Sequence, residues 1–182
     1  TALSDIAGIG RVTRERGALL IVDGITSVGA IPCKMDEWGV DAYITGSQKA
    51  LMLPPGLAFV AVSDRAWERI ESGKTPTLYN DLKAYRKSLA EWDVPYTPPV
   101  SLVRGLLCVL RGIKERGLES IWAETTVLAR ATRAAAEAMG LKLFAVDPVD
   151  SVTAVVVPTG VDEGALRKTM RAKYGFQIAG GQ

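Results

Sequence analysis

The chain has 182 residues, of which 48% are hydrophobic, and can therefore bury the core of one or two domains. Its 22 basic and 20 acidic residues leave a net charge of +2, which is too even to favour nucleic acid or an anionic membrane as a partner. Histidine is absent, and the two cysteines, Cys33 and Cys108, lie far apart in the sequence. We therefore predict no metal site and expect a reduced, cytoplasmic setting. No apolar run is long enough to span a bilayer, so we expect no membrane association.

The N-terminal part of the chain alternates helical patterns with apolar runs, which is typical of an α/β domain. Helices are predicted at residues 1–17, 35–39, 65–72 and 82–89, and strands at residues 19–23, 41–45 and 57–62. A continuous apolar run between polar residues is typical of a strand buried on both faces in a parallel sheet. We therefore expect a mainly parallel sheet.

The C-terminal part begins with two amphipathic helices, which end at Gly117 and at Gly140. Strands are then predicted at residues 141–146 and 151–157, a helix at 162–174, and the start of a strand at 176–178. This order is typical of a small α+β domain. We place the boundary near Gly117, with part of a large domain at residues 1–116 and a small C-terminal domain at residues 117–182.

Two charged residues follow predicted core strands. Asp23 closes the strand at 19–23, and Lys49 comes shortly after the strand at 41–45. Ligands of open α/β sheets bind at the edge formed by the carboxyl ends of the strands. An acid and an amine at this edge are what pyridoxal phosphate needs, because it forms a Schiff base with a lysine and faces an acid through its pyridine nitrogen. The ordinary alternatives are a solvated lysine and an acid that closes an Asx turn.

Four motifs occur in a characteristic order: VDGITSVG at 22–29, WGVD at 38–41, GSQKAL at 46–51 and PPG at 54–56. Together they resemble the class V pyridoxal-phosphate aminotransferases, and within them the alanine–glyoxylate and serine–pyruvate branch. The resemblance covers essentially the whole chain. It implies a fold-type I transferase with an α/β fold: part of the large domain, followed by the small C-terminal α+β domain.

The resemblance also implies roles for individual residues. Lys49 would form the Schiff base, and Asp23 would keep the pyridine nitrogen protonated. Ile25 would pack against one face of the ring, and Gln48 would contact the cofactor phosphate. The hydroxyl of Thr97, in a Tyr-Thr-Pro-Pro segment, matches a group that reaches the phosphate of the neighbouring subunit in a homodimer.

Each of these residues has an ordinary structural alternative. Ile25 is typical of a core residue, Gln48 of a polar loop, and the Thr97 segment of a Pro-rich turn. Relatives often have a tyrosine or threonine three residues before Thr97, where this chain has Val94, and Tyr96 is a candidate replacement. The apolar residues that follow Lys49 are expected to enclose its amine.

The implied reaction is transamination between a small amino acid (alanine, serine or aspartate) and a 2-oxo acid (glyoxylate or pyruvate). One alternative is a catalytically incompetent fragment or paralogue that serves as a dimerisation or binding module. Another is a class V lyase or desulfurase, but desulfurases usually carry a histidine where this chain has Gln48, and Cys33 and Cys108 lie among apolar residues. The family's phosphate-binding turn is expected before Thr1 and its carboxylate-binding arginine after Gln182. We therefore expect a chain cut at both ends, with little activity by itself.

Overall fold

The computed structural model describes residues 2–74 and 76–181. These form two compact units: residues 4–123, and residues 124–181 together with residues 2 and 3. Thr1, where the first predicted helix begins, and Gln182, which closes a Gly-Gly-Gln motif, lie outside the described residues. No helix within the two described ranges is both long enough and apolar enough to cross a bilayer. The domain boundary near Gly117 remains a prediction.

Helices and strands alternate along the first unit, as predicted. The helices of the described residues, in both units, are α1 (Ile6–Glu15), α2 (Met35–Trp38), α3 (Asp64–Ser72), α4 (Leu82–Ala90), α5 (Val100–Arg116), α6 (Leu118–Ala138) and α7 (Glu163–Tyr174). The strands are β1 (Ile21–Asp23), β2 (Ala42–Gly46) and β3 (Ala58–Val62). Helix α1 begins later than predicted because the side chain of Asp5 accepts a hydrogen bond from the Gly8 N–H at 2.9 Å and caps the helix there.

The three strands form one sheet in the order β1-β2-β3. Strand β1 runs parallel to β2, with Asp23 opposite Ile44. Strand β3 runs antiparallel to β2, with Phe59 opposite Thr45. The sheet is therefore mixed. The chain returns through a loop at residues 47–57 that contains no helix, and a parallel return would need a longer crossover connection.

The core of the first unit consists of Val22, Val40 and Tyr43. Strand β1 is buried on one face only, because Ile21 is 65% exposed. The prediction that this strand is buried on both faces is therefore wrong. On its second face, Ile21 lines an apolar groove of about 380 Å³ together with Val62 and with Ala66 of α3.

One buried carboxylate joins three elements of this unit. The side chain of Asp41 is 1% exposed and accepts hydrogen bonds from the Leu20 N–H at 2.8 Å and from Ser63 Oγ at 2.9 Å. The guanidinium of Arg65 binds the same carboxylate, with Nε at 2.9 Å from Oδ1, and also donates to the carbonyl of Ala18 at 2.9 Å. Asp41 thus ties the start of β1, the start of β2 and the first turn of α3 together.

The surroundings of Asp41 keep its carboxylate ionised. Burial by itself raises the pKa of Asp41, but the hydrogen bonds from Arg65, Leu20 and Ser63 outweigh burial and lower this pKa to about 2. The same hydrogen bond raises the pKa of Arg65. Both shifts favour the charged pair.

The second unit is built around the C-terminal part of α6. Its Arg133 guanidinium donates to the Asp150 carboxylate at 2.9 Å and to the Val149 carbonyl at 2.7 Å. Thr126 donates to the other oxygen of Asp150 at 2.7 Å. These bonds attach the segment at residues 149–150 to two turns of the helix.

The strands predicted in the second unit do not form. The segments at 141–146 and 151–157 meet at a single antiparallel bridge, Leu143 opposite Val155, flanked by backbone hydrogen bonds of 2.8 and 3.0 Å. Two segments with no third strand beside them are marginally stable as a sheet. Residues 176–178, predicted to begin a strand, have no strand partner among the described residues.

The Asp41–Arg65 pair yields a prediction for stability. Removing Arg65 leaves the buried carboxylate without its counter-ion, so Arg65→Ala should lower the free energy of unfolding by about 3 kcal/mol. The control is Arg69→Ala, an exposed arginine on the same helix, which should change it by less than about 0.5 kcal/mol. Urea denaturation followed by circular dichroism measures both. Equal, small losses would show that the fold does not depend on this pair.

A second prediction concerns acid stability. The folded-state pKa of Asp41, about 2, lies below the ordinary value of 3.8, so the ionised carboxylate stabilises the fold above pH 4 and loses this effect as the pH falls through about 2. The difference in unfolding free energy between wild type and Asp41→Asn should be constant from about pH 7 to 5 and shrink between about pH 4 and 2. Urea titrations at each pH measure it. If the difference in unfolding free energy between the two proteins were as large at the lowest pH as at neutral pH, the role of the ion pair would be contradicted.

Candidate functional site

The carboxyl ends of β1 and β2 lie at the same edge of the sheet because these two strands are parallel. Asp23 is the last residue of β1, and Lys49 lies three residues beyond the end of β2. The pairing continues past Asp23, since the Gly24 N–H donates to the Ile44 carbonyl at 2.8 Å. The structure therefore places Asp23 and Lys49 at one edge, as the sequence predicts.

The loops that follow the two strands touch each other. A Cβ atom placed on Gly29 would lie 3.2 Å from the Cβ of Ala50, the residue next to Lys49. Gly29 also has a φ of +92°, which side-chain-bearing residues rarely adopt. The close approach of these two backbones brings the Asp23 loop against the Lys49 loop.

The carboxylate of Asp23 is exposed, and its Oδ1 accepts a hydrogen bond from the Ile25 N–H at 2.9 Å. The Asx turn, the ordinary alternative for Asp23, is thus present, and it fixes one carboxylate oxygen. Among the described residues no group donates to Oδ2, which remains an acceptor for a ligand. Ile25 is half-buried beside it.

The turn after Asp23 rests on an aromatic ring. A Cβ atom placed on Gly24 would lie 2.1 Å from Cε1 of Tyr43, so only glycine lets the backbone pass this close to the ring. Burial raises the pKa of Tyr43, and its hydrogen bond with Cys33 raises it further. The ring of Tyr43 therefore packs against the backbone of the turn that follows Asp23.

The surroundings of Cys33 do not activate its thiol. Burial raises the pKa of Cys33, although the hydrogen bond with Tyr43 lowers it in part. A thiol kept protonated is a weak nucleophile. Cys108 is exposed, so the expectation that it packs among apolar residues is wrong: it lies on an outward face of α5.

Ser47 is a residue of this site whose importance the sequence does not reveal. It is fully buried, and its Oγ donates to the Pro54 carbonyl at 2.7 Å and accepts from the Leu57 N–H at 3.2 Å. Its N–H donates to the Leu57 carbonyl and its carbonyl accepts from the Leu53 N–H, both at 3.0 Å. These bonds close the loop that carries Lys49. The one available signal is a small hydroxyl residue placed directly after an apolar strand.

Lys49 and Gln48 are both exposed. The prediction that apolar residues enclose the amine of Lys49 is therefore wrong within the described chain. Leu51 turns inward and is 8% exposed, but Met52 has a φ of 53° and its side chain, 79% exposed, points away. Gln48 folds back over Gly46, where an added Cβ would lie 2.9 Å from its Oε1.

Thr97 is exposed and precedes α5 by three residues. The start of α5 packs on the Lys49 loop, because a Cβ atom on Gly56 would lie 2.6 Å from Cδ1 of Leu102. The Tyr96 hydroxyl donates to the Leu78 carbonyl at 2.8 Å, so its single O–H donor is already engaged. Thr97 therefore remains the candidate donor of this segment.

Comparison with known proteins identifies the family. The whole chain, residues 1–182, matches the family described as aminotransferase class-V, and the chain belongs to that family. Its members depend on pyridoxal phosphate, and their fold type I confirms the predicted fold class. The predicted branch, that of the glyoxylate-linked aminotransferases, is confirmed as well.

Three similar proteins illustrate this relationship. The soluble hydrogenase small subunit of a Synechococcus species is 43% identical over 183 residues, which cover 99% of this chain and 47% of that protein. L-aspartate–glyoxylate aminotransferase of Paracoccus denitrificans is 45% identical over 164 residues, covering 87% and 41%. The crystal structure of alanine–glyoxylate aminotransferase from a Nostoc species has a TM-score of 0.91 at 31% identity, covering 96% and 48%. The chain spans about half the length of the curated relatives it matches.

The residues of this edge fit pyridoxal phosphate. They include an exposed amine on Lys49, an open carboxylate oxygen on Asp23 and a half-buried aliphatic side chain at Ile25, all carried by two loops in contact. Such a set can attach a carbonyl compound covalently and pair with a protonated ring nitrogen. In the part of the chain that the structure describes, no three Cys, Asp or Glu side chains cluster as metal ligands would.

The packing of Gly24 gives a prediction. Gly24→Ala forces the new methyl group into the Tyr43 ring, so we expect a loss of about 2 kcal/mol in unfolding free energy. Gly112→Ala, in α5 with open space around the added atom, should instead stabilise the protein by about 0.5–1 kcal/mol. Urea denaturation of both variants measures the contrast. If Gly24→Ala left the free energy of unfolding unchanged, the turn would be free to shift away from the Tyr43 ring.

Proposed function

We propose that the protein carrying this chain is a pyridoxal-phosphate-dependent aminotransferase. It would move an amino group between a small amino acid (alanine, serine or aspartate) and a 2-oxo acid such as glyoxylate or pyruvate. The observation that carries the proposal is the placement of Asp23 and Lys49 at one sheet edge, on loops that touch, in a member of the class V family. The names of the Paracoccus and Nostoc enzymes support aspartate, alanine and glyoxylate among these substrates.

In this proposal Lys49 has two roles. Its exposed amine binds the cofactor covalently, and the amine released by the incoming substrate moves the proton from the substrate Cα. When bound, the cofactor supplies a ring that accepts the electron pair left on Cα. The second role requires the Lys49 Nζ to stay close to Cα, so the position of its loop matters for the rate.

The other residues would hold the cofactor. Asp23 would accept a hydrogen bond from the pyridine N–H through the oxygen that its Asx turn leaves open, and so keep the proton on that nitrogen. Ile25 would pack against one face of the ring. The amide of Gln48 would donate to the phosphate, and the hydroxyl of Thr97 would reach the phosphate of a neighbouring subunit in a homodimer.

We also propose the finer organisation of the protein. Residues 1–116 would belong to the large cofactor-binding domain and residues 117–182 to the small domain. A reduced cytoplasmic setting is consistent with the two unpaired cysteines, Cys33 and Cys108.

The experiment for this proposal locates the cofactor on the chain. The whole protein is incubated with pyridoxal phosphate, reduced with borohydride and digested, and peptide masses identify the modified lysine. We expect the label on Lys49 in wild type and in the control Lys87→Ala, an exposed lysine of α4, and no label at this position in Lys49→Ala. The same preparations are assayed for glycine formed from glyoxylate with each donor, and Lys49→Ala should lose at least about a thousandfold in rate.

Two results would reject the proposal. One is a label on a different lysine in wild type. The other is an active Lys49→Ala protein, because the amine that binds the cofactor and moves the proton would then lie elsewhere.

A further inference from the structure

We propose that Ser47 is a positioning residue, whose buried hydroxyl sets the place of Lys49 at the sheet edge. The inference rests on the proposed function of Lys49. Ser47 itself is fully buried and has all of its polar groups engaged within the loop, so it would act through Lys49 and not on a ligand.

The hydroxyl of Ser47 is the side-chain link across the loop that carries Lys49. It donates to the Pro54 carbonyl at 2.7 Å and accepts from the Leu57 N–H at 3.2 Å, and so joins the two ends of an eleven-residue segment at residues 47–57. Removing the oxygen leaves the Pro54 carbonyl and the Leu57 N–H without this hydrogen-bond partner in a buried site. The loop would then be held at Ser47 only by its backbone hydrogen bonds to Leu57 and Leu53, and it would open more readily at the end where Lys49 lies.

A second anchor lies on the other side of Lys49. Leu51 is 8% exposed, and Ala50 rests against Gly29 of the neighbouring loop. Lys49 thus lies midway between Ser47 and Leu51, two residues from each. Its backbone is held from both sides although its side chain is exposed, which is the arrangement that a precisely placed but accessible amine requires.

The chain contains a matched hydroxyl that serves as control. Ser63 directly follows β3, as Ser47 directly follows β2. Ser63 Oγ also makes one donated and one accepted hydrogen bond, to Asp41 Oδ1 at 2.9 Å and from the Ala66 N–H at 3.1 Å. Ser63→Ala therefore removes the same atom and the same number of bonds without touching the Lys49 loop.

The experiment compares Ser47→Ala with Ser63→Ala in the whole protein. Two readouts are used: the rate at which free pyridoxal phosphate attaches, followed by visible absorbance, and amide hydrogen exchange in residues 48–53 without cofactor. In Ser47→Ala we expect attachment about tenfold slower and exchange about tenfold faster than in wild type. Ser63→Ala should match wild type in both readouts, although it unfolds at lower urea concentration.

The outcomes separate this inference from the proposed function. If Ser47→Ala and Ser63→Ala behave alike, Ser47 is an ordinary structural residue and the inference is wrong, while the function of Lys49 stands. If wild type attaches no cofactor at Lys49, the proposed function fails and the inference fails with it. Should Ser47→Ala not fold, Ser47→Cys decides the question: its weak thiol donor should give an attachment rate below that of wild type and of Ser63→Ala.

Discussion

The ion pair between Asp41 and Arg65 is the interaction on which the geometry of the first unit depends. The carboxylate is almost fully buried, yet it is ionised because a guanidinium, a backbone N–H and the Ser63 hydroxyl all donate to it. It holds the starts of β1, β2 and α3 in one place. This anchoring also fixes the register of β2 against its neighbours, because a shift of one residue would turn every side chain of that strand to the opposite face.

Two buried polar residues flank strand β2, and each makes a different set of hydrogen bonds. Asp41, 1% exposed, anchors the beginning of the strand to β1 and α3, and Ser47, 0% exposed, closes the loop after its end. Buried polar groups that are fully satisfied make an arrangement unique, whereas an unpaired one is costly. Asp41 therefore fixes where β2 begins, and Ser47 fixes the loop in which Lys49 follows it. The carboxylate of Asp23 arrives at the same edge because β1 is parallel to β2.

Local signals in the sequence account for the elements that were predicted well. Ser63 caps α3 through its hydroxyl, and Gly117 and Gly140 end α5 and α6 with positive φ angles. The strand predictions in residues 141–157 were wrong because the two segments pair only at a single bridge, and two segments alone are marginally stable as a sheet. The prediction that apolar residues enclose the amine of Lys49 was also wrong, since Lys49 is exposed. Apolar neighbours in the chain do not enclose an amine when Met52, at positive φ, turns its side chain outward.

The alternation of helices and strands, the motifs around Asp23 and Lys49, and through them the family, can be predicted from the sequence alone. These depend on periodicity, capping residues and residue order, which are local properties of the chain. The tertiary structure was needed to show that β3 returns antiparallel and that the hydroxyl of Ser47 closes the loop after β2. It also decided that Gly29 lets the two site loops touch. These features are contacts between residues distant in sequence, and their partners are chosen by packing and by the need of buried polar groups for hydrogen bonds.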